Sequence, residues 1–242
     1  MQVVDREMFN WYVKEVDSDI LGAFKQQETV FNSVHESHQW HLESAPKRFI
    51  YFLVYGLLLK EDVPRQRILD IGGGLTSLST LLSRKHDYSI IDIGVDSNIK
   101  DVGDINVIQE DWHDYDIAGK SWDLIIANDI FPNVDQRLEL LLHKFLPHCG
   151  LLSMSLTYNN RGPKWYKTKR VDGTETLYML SWTGMQVKNV LELYRHRIGT
   201  APETTPFFVD VATGTESIFP NGRQVCVVSL NGNLCPENFD KQ

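Results

Sequence analysis

The stretch ILDIGGGLTSL, residues 68–78, changes from one type of local structure to another partway along. Its first four residues are mostly apolar and predict a short strand that is buried on both faces. Gly72, Gly73 and Gly74 end that strand, and leucines at helical spacing resume at Leu75. Glycine adopts backbone conformations closed to other residues and lets a ligand lie against the main chain. The stretch therefore predicts a strand, a tight ligand-binding turn and a helix whose free amides face the same place.

The next acidic residue narrows the choice among nucleotide ligands. A second apolar segment, residues 88–93, carries Asp92 about twenty residues after Gly72, where a carboxylate can accept both ribose hydroxyls. A dinucleotide-binding turn would have a further glycine where this chain has Ser77. A Walker phosphate loop requires Gly-Lys-Ser or Gly-Lys-Thr, and residues 61–84 contain no lysine. Neither phosphate-binding pattern is present.

The glycine-rich turn resembles motif I of the class I S-adenosylmethionine-dependent methyltransferases, in which an acidic residue precedes closely spaced glycines. Asp70, Gly72 and Gly74 match that pattern. The chain departs from it at Thr76, where many members have a third glycine. The resemblance extends over residues 64–157, because the other motifs follow in the family's order.

The downstream motifs imply a complete cofactor site. Asp92 matches the acid that binds ribose in the family, and Asp111 and Trp112 follow a third strand where the family binds adenine. Asn128 ends a fourth strand and is expected to serve both cofactor and acceptor. The resemblance implies S-adenosylmethionine as the cofactor of a transferase. The cofactor-binding residues that it implies are Asp70, Gly72, Gly73, Gly74, Asp92, Asp111, Trp112 and Asn128.

The succession of strands and helices predicts an α/β fold with a doubly wound, mostly parallel seven-stranded sheet and helices on both faces. The family's sheet ends in an antiparallel hairpin. Strands predicted at residues 176–182, 207–211 and 224–230 would supply its sixth and seventh strands. Helical spacing before motif I predicts an N-terminal helical cap, residues 1–62, that resembles the lids of small-molecule methyltransferases. The Rossmann-like catalytic domain would then span residues 63–242.

Composition limits the partners and the location. The formal charge of −8 argues against a nucleic-acid substrate, because phosphate binding depends on lysine and arginine. The N-terminus lacks the pattern of a signal peptide, and the longest apolar run, residues 49–59, is too short to span a bilayer. The three cysteines are widely spaced and form no Cys-x-x-Cys pair. We therefore predict reduced thiols in a cytoplasmic protein without a zinc site and without membrane contact.

Residues that follow the fourth and fifth strands lie at the reaction centre by topology, because ligands bind beyond the carboxyl ends of parallel strands. Tyr166 belongs to residues 162–173, which we predict to be a loop and a second lid. His38 could accept a proton from the acceptor, as could His35, Asp129 or Tyr158. The predicted catalytic residues are Asn128, Asn133, Tyr158, Tyr166 and His38.

The spacing of His35, His38 and His41 also invites a metal-binding interpretation. On a helix these positions step around the axis, so three ligands would converge poorly, and no matching carboxylate or cysteine completes the set. We predict no metal site. The three histidines could equally be surface or capping residues.

The function predicted from these motifs is methyl transfer from S-adenosylmethionine to a small molecule, as in natural-product metabolism. The family's Asn-Pro-Pro-aromatic signature for amino acceptors is absent, since Asn128 is followed by Asp-Ile-Phe. A second interpretation is use of the aminobutyryl arm, with release of methylthioadenosine, as in nicotianamine synthase and azetidine-2-carboxylate-forming enzymes. A third is a non-catalytic nucleoside-binding interaction domain. The sequence leaves acceptor and oligomeric state open.

Overall fold

The structure is a computed structural model that describes residues 1–26, 41–95, 104–161, 165–169, 176–198 and 204–233. A seven-stranded sheet lies at its centre, and helices pack on both faces. A separate antiparallel pair of strands lies outside that sheet.

The strands alternate with helices along most of the chain, as expected for a doubly wound sheet. In chain order the strands are β1 (Gln2–Val3), β2 (Arg67–Ile71), β3 (Asp87–Ile91), β4 (Asn106–Ile108), β5 (Trp122–Asn128), β6 (Cys149–Tyr158), β7 (Trp165–Lys169), β8 (Thr176–Leu180) and β9 (Gln224–Asn231). The main sheet has the order β1-β9-β6-β5-β2-β3-β4. Strands β2 to β6 run parallel, and β9 runs antiparallel to both of its neighbours. The predicted fold class is confirmed, and the carboxyl ends of β2 to β6 share one edge.

Helices cover both faces of the sheet. They are α1 (Arg6–Glu15), α2 (Asp17–Lys25), α3 (Ala45–Tyr55), α4 (Ser77–Ser83), α5 (Leu138–Phe145), α6 (Gly184–Leu193) and α7 (Thr204–Thr213), with 3₁₀ turns at Gly56–Leu59, Leu146–His148 and Arg195–Arg197. Side chains of α1 to α4 build the core on one face, and those of α5 to α7 build it on the other. Of the helices within the described stretches, none has the length and apolar character needed to cross a membrane.

The segment predicted as a strand at residues 207–211 is helix α7, so that prediction is wrong. Phe207, Phe208 and Val211 are buried, whereas Val209 is exposed. A strand would bury alternate positions and expose Phe208, but burial at positions i, i+1 and i+4 selects one helical face. The prediction is wrong because the buried residues of this segment repeat with the period of a helix and not with that of a strand.

The place beside β9 is taken by β1, from the other end of the chain. Gln2 pairs with Val227 and Val3 pairs with Cys226. The Val4 N–H extends the pairing by donating to the Val225 carbonyl at 2.9 Å. The sheet thus has seven strands, but the edge strand is not one of those predicted. The division into a cap and a domain at residue 62 stays a prediction, although residues on the cap side of it form part of the sheet.

The strand predicted at residues 176–182 exists as β8 but pairs only with β7, in a hairpin outside the main sheet. Residues 165–169, which the sequence placed in a loop, form the other strand of this hairpin. Trp165 is two-thirds exposed there. The prediction of a loop over the whole of residues 162–173 is therefore wrong, because residues 165–169 pair with β8, the next strand along the chain.

Candidate active site

The glycine turn joins β2 to α4 at the carboxyl edge of the sheet. Gly72 and Gly74 have φ of 68° and 64°, the left-handed region that glycine enters without strain. The Gly72 N–H donates to the Ile91 carbonyl at 2.7 Å, which ties the turn to β3. A Cβ on Gly73 would lie 2.5 Å from Cγ of Asp70. Backbone and acid are therefore packed so closely that a side chain at position 73 has no room.

Asp70 supports the turn from inside the sheet. The hydroxyls of Tyr55 and Tyr88 donate to its Oδ2 at 2.9 and 2.5 Å. Burial raises the pKa of the Asp70 carboxyl to about 7 and raises the pKa of both tyrosines well above their ordinary value. The tyrosines therefore remain donors. The other oxygen, Oδ1, is buried without a hydrogen-bond partner among the described residues.

Asp92 lies directly beside this turn. It follows β3, whose last residue Ile91 is paired with Ile71 in the register of the sheet. Its Oδ1 accepts a hydrogen bond from the Gly94 N–H at 2.7 Å, which orients the carboxylate at the edge of the sheet. Asp92 is also near enough to Asp70 for its charge to contribute to the raised pKa of that acid. The structure therefore brings together the turn and the acid that the sequence proposed for ribose.

Asp111 and Trp112 belong to a separate network. The Arg137 guanidinium donates to Asp111 at 2.9 Å and to Asp135 at 2.7 Å. The Trp112 indole N–H donates to Asp135 at 2.8 Å, and the Arg137 guanidinium lies 4.7 Å from the centre of the Trp112 ring. Burial raises the pKa of Asp111 and Asp135, but the bonds from Arg137 outweigh it and lower both overall. Trp112 is buried against Phe131, and its predicted contact with adenine stays a prediction.

Asn128 ends β5 at the same edge as the glycine turn. Its Oδ1 accepts a hydrogen bond from the Ser155 hydroxyl at 2.5 Å, which fixes the orientation of the amide. Its Nδ2 is buried and has no partner among the described residues. A buried amide donor without a partner is uncommon and is readily explained by a ligand that accepts from it.

Asp129 adopts a strained backbone conformation, with φ of 59°, which a non-glycine residue rarely takes. Its N–H donates to the Ser155 hydroxyl at 2.9 Å, and Thr157 donates to its carboxylate at 3.0 Å. The same carboxylate forms an ion pair with Lys47, the third residue of α3. Both side chains of the pair are only about one-tenth exposed, at 12% and 11%. Sequence reasoning missed Lys47, because nothing near it in the chain marks it as a partner of β5.

A cavity of 220 Å³ opens beyond the carboxyl end of β6. The residues that line it are Asn133, Thr157, Tyr158, Asn159, Ser181, Asn221 and Arg223. Asn133 and Tyr158 were predicted at the reaction centre, whereas Arg223 was not, because it begins another strand far along the chain. The Tyr158 hydroxyl is buried and without a partner among the described residues. Burial raises the pKa of Tyr158, so at neutral pH the hydroxyl is a donor and not a base.

A larger groove, of 470 Å³, lies at the opposite edge of the sheet. It is lined by residues where strands begin, among them Arg67, Asn106 and Trp122. Ligands of doubly wound sheets bind at the carboxyl ends of the strands. The groove lies at the edge where strands begin, whereas the smaller cavity lies beyond the carboxyl end of β6, so the smaller cavity is the candidate for a ligand.

Comparison with known proteins finds likeness in structure alone. No protein-family model matches the chain, and no curated protein matches it either. The solved DhpI–SAH complex matches with a TM-score of 0.50 and 12% identity, over 90% of this chain and 98% of that one. The PH0226 protein from Pyrococcus horikoshii OT3 matches with a TM-score of 0.50 and 16% identity, over 86% of this chain and 99% of that one. The chain has the fold of these two solved structures. Identities this low show the fold and do not show the activity.

Within this fold, the predicted site residues do not all meet. Gly72, Gly73, Gly74, Asp92 and Asn128 lie at the carboxyl edge of the sheet, and Asn133 and Tyr158 lie in the cavity beside it. His38, His35 and the side chain of Tyr166 lie outside the described residues, so their roles stay predictions. His41 is buried and stacks on Phe24. In the described stretches no three His, Cys, Asp or Glu side chains gather in a way that could hold a metal ion.

Proposed function

We propose that the protein is an S-adenosylmethionine-dependent methyltransferase that acts on a small molecule. The observation that carries the proposal is the turn of Gly72 to Gly74 at the carboxyl edge of the sheet, beside Asp92. The left-handed glycines and the adjacent carboxylate, which the Gly94 N–H orients, support a nucleoside site there. The DhpI structure of the same fold is a complex with SAH, S-adenosylhomocysteine. That compound is what remains of S-adenosylmethionine after methyl transfer.

The unpartnered donor of Asn128 supports the same placement. Its Nδ2 lies one strand from the glycine turn, because β5 and β2 are neighbours in the sheet. There it can bind the amino acid part of the cofactor or the acceptor. The amide is uncharged and fixed by Ser155, so its role is to position a ligand and not to move a proton.

The proposed reaction requires the protein mainly to position its ligands. S-adenosylmethionine carries an activated methyl group, so the enzyme must hold a nucleophile within about 3 to 3.5 Å of the methyl carbon, in line with sulfur. The carboxylate of Asp129 is engaged by Lys47 and Thr157, which leaves it better suited to orient than to accept a proton. Tyr158 remains protonated. We therefore infer that positioning of the acceptor supplies most of the catalysis.

A small acceptor, as in natural-product metabolism, is part of the proposal. The formal charge of −8 disfavours nucleic acid, and a cavity of 220 Å³ accommodates a molecule with few heavy atoms. The acceptor site is thus matched in size to a small polar compound.

Substitution of Asp92 tests the cofactor site. Asp92→Ala removes the carboxylate beside the turn and should weaken binding of S-adenosylmethionine at least tenfold, since charge-assisted hydrogen bonds to ribose are lost. Isothermal titration calorimetry gives the affinity. Asp116→Ala is the matched control, because Asp116 also accepts from an N–H two residues on, at 3.0 Å from Ala118 N, in an exposed turn away from the site. Equal affinity in wild type and Asp92→Ala would contradict the assignment.

Incubation with S-adenosylmethionine alone separates methyl transfer from use of the aminobutyryl arm. Mass spectrometry of the nucleoside products should show no methylthioadenosine above the control without enzyme, and acceptor screening should then release S-adenosylhomocysteine. Methylthioadenosine together with a cyclic amino acid would instead assign the aminobutyryl arm. Cofactor binding without turnover of any acceptor would favour a non-catalytic nucleoside-binding domain.

A further inference from the structure

Asp70 is a buried acid that has no cation beside it. It is 1% exposed, and the hydroxyls of Tyr55 and Tyr88 donate to its Oδ2. Within the described part of the chain, no lysine, arginine or histidine is among the groups that shift its pKa. A charge that leaves water without a cationic partner is costly, so the buried carboxyl favours its neutral form. In the free protein Asp70 therefore keeps its proton at slightly acidic pH.

The groups that face Asp70 from the neighbouring elements do not offset this cost. Helix α3 contributes Tyr55 and strand β3 contributes Tyr88, and burial raises the pKa of both hydroxyls, so both remain neutral donors. Strand β5 places Ile126, which has no charge, opposite Asp70. Asp92 follows β3 and is a second acid whose charge raises the pKa of Asp70 further. The tyrosines lower that pKa, but burial outweighs them and the value is about 7.

The Asp70 carboxyl lies against the glycine turn. A Cβ on Gly73 would lie 2.5 Å from Cγ of Asp70 and 2.6 and 2.8 Å from its two oxygens. The backbone of the turn is thus in contact with the acid, and little more than that backbone would separate the acid from a ligand bound to the turn. A charge on such a ligand would act on Asp70 through the protein interior, where Coulomb interactions are stronger than in water. Protonation of Asp70 is therefore sensitive to the charge of the ligand.

The two acids next to the turn match a cationic ligand. Asp70 lies in β2 and Asp92 follows β3, which is the neighbouring strand of the sheet. S-adenosylmethionine carries a positive sulfonium, whereas S-adenosylhomocysteine, which remains after methyl transfer, has a neutral thioether in its place. The two compounds share the nucleoside and the amino acid part. A site that responds to charge can therefore distinguish the cofactor from the product.

We propose that binding of S-adenosylmethionine displaces the proton of Asp70 to solvent, and that Asp70 thereby selects the cationic cofactor over neutral S-adenosylhomocysteine. The exchange balances charge, because one positive charge enters the site and one leaves it. This inference rests on the proposed function, since it needs the cofactor at the glycine turn. It adds a specificity-determining residue and a dependence of that specificity on pH.

The sign of the pH dependence follows from linkage. A nearby positive charge lowers the pKa of a carboxyl, so Asp70 is more acidic in the complex than in the free protein, where its pKa is about 7. Binding therefore releases protons below pH 7, and affinity rises with pH until the free protein has itself lost the proton. S-adenosylhomocysteine lacks the sulfonium charge and should show a weaker rise. The preference for S-adenosylmethionine should thus be greater at pH 7 than at pH 5.5.

Isothermal titration calorimetry in two buffers with different enthalpies of ionisation counts the protons released on binding, with no acceptor present. At pH 6 the wild type should release about half a proton more with S-adenosylmethionine than with S-adenosylhomocysteine. From pH 5.5 to 7 the ratio of the two affinities should change at least threefold in favour of S-adenosylmethionine. Asp70→Asn has no proton to lose, so both differences should shrink to those that the ligands' own groups produce.

Asp123→Asn is the matched control. Asp123 is an exposed carboxylate that accepts from the Arg67 N–H at 2.7 Å, at the amino end of β2 and thus at the opposite edge of the sheet. Its proton release and its affinities should equal those of wild type. Equal proton release by wild type and Asp70→Asn, or equal losses in Asp70→Asn and Asp123→Asn, would overturn the inference.

Tyr88→Phe provides a second test should Asp70→Asn fail to fold. The hydroxyl of Tyr88 lowers the pKa of Asp70, so its removal raises that pKa. The rise in affinity for S-adenosylmethionine should then occur at higher pH than in wild type. A loss of affinity that is the same at every pH would indicate a structural role of Tyr88 alone and would contradict the coupling.

Failure of this inference is distinguishable from failure of the proposed function. Binding of both compounds to wild type is measured first, at pH 7. No binding of either compound would contradict the proposed function itself. Normal binding of both, with equal proton release, would contradict only the role of Asp70.

Discussion

Asp70 is a buried carboxyl next to the glycine turn, and burial changes the pH at which it loses its proton. The carboxyl is 1% exposed, and its charged form has two tyrosine donors but no cation among its described partners. Hydrogen bonds from Tyr55 and Tyr88 lower its pKa, but the loss of water raises it further, to about 7. The loss of hydration therefore outweighs the two hydrogen bonds, and the pKa of Asp70 is raised overall.

This raised pKa makes the fold depend on pH in a specific window. The native state retains the Asp70 proton up to about pH 7, whereas the unfolded chain loses it near 3.8. The contribution of Asp70 is thus full below about pH 4, and the free energy of unfolding falls as pH rises to 7, by roughly 1.4 kcal/mol per pH unit at most. Asp70→Asn should remove this slope. Urea unfolding of both proteins at pH 5 and 7.5 measures it, and identical slopes would contradict the prediction.

At Gly73, one added carbon atom should change both the stability of the protein and the binding of the cofactor. Gly73→Ala places a Cβ 2.5 Å from the Asp70 carboxyl carbon, so the turn or the acid must move. We expect a loss of about 1–3 kcal/mol in stability, typical of overpacking, together with weaker binding of S-adenosylmethionine. Gly22→Ala is the control, since no atom lies within 4 Å of its added Cβ and alanine favours the helix. Thermal unfolding and calorimetry of both variants check this, and a neutral Gly73→Ala would refute the steric argument.

At the level of elements, an ion pair joins helix α3 to the carboxyl end of β5. Lys47 at the start of α3 pairs with Asp129 at the end of β5, 82 positions away in sequence. The first residues of α3 are therefore held against the edge where the cofactor would bind. Helix α3 is therefore joined to the sheet by this ion pair as well as by the apolar core beneath it.

Breaking this pair should be costly. Lys47→Met leaves the nearly buried Asp129 without its cation and should lower the free energy of unfolding by about 3 kcal/mol or more. Asp129→Asn added to that variant should restore part of the loss, because no buried charge then remains. Lys14→Met is the control, as Lys14 is 81% exposed and pairs with Glu15 at the surface. Chemical unfolding of wild type and the three variants gives the free energy of unfolding of each, and equal losses in Lys47→Met and Lys14→Met would rule out a structural role for the pair.

For the whole molecule, the N-terminus is part of the central sheet. Strand β1 pairs with β9, so the second and third residues are joined to a strand more than 220 positions away. Val3→Asp puts a charge where the side chain is 8% exposed and should lower the melting temperature by several degrees. Met1→Asp is the control, since Met1 is 37% exposed. The melting temperatures of the two variants, measured by calorimetry, should differ clearly. Matching melting temperatures would mean that β1 contributes little to stability.

The sequence by itself determined the features that depend on neighbours along the chain. The strand, turn and helix around Gly72, the parallel strands that follow and the position of Asp92 all come from local apolar patterns and from glycine conformation. Helix α3 lies within residues 1–62, where helical spacing of apolar residues predicted helices. Residues of one strand and the turn after it are placed by the backbone that connects them.

Tertiary structure alone decided the features that join distant parts of the chain. A two-residue strand such as Gln2–Val3 carries too little pattern to be predicted, and it forms only because β9 offers an unpaired edge. Lys47 forms an ion pair with Asp129, and Arg223 lines the cavity together with Tyr158. Both contacts depend on tertiary packing, and the spacing of residues along the chain does not predict them. The chain's own pattern thus predicts the proposed cofactor site, whereas the cavity beside Tyr158 is assembled from loops and strand ends that meet only in the folded protein.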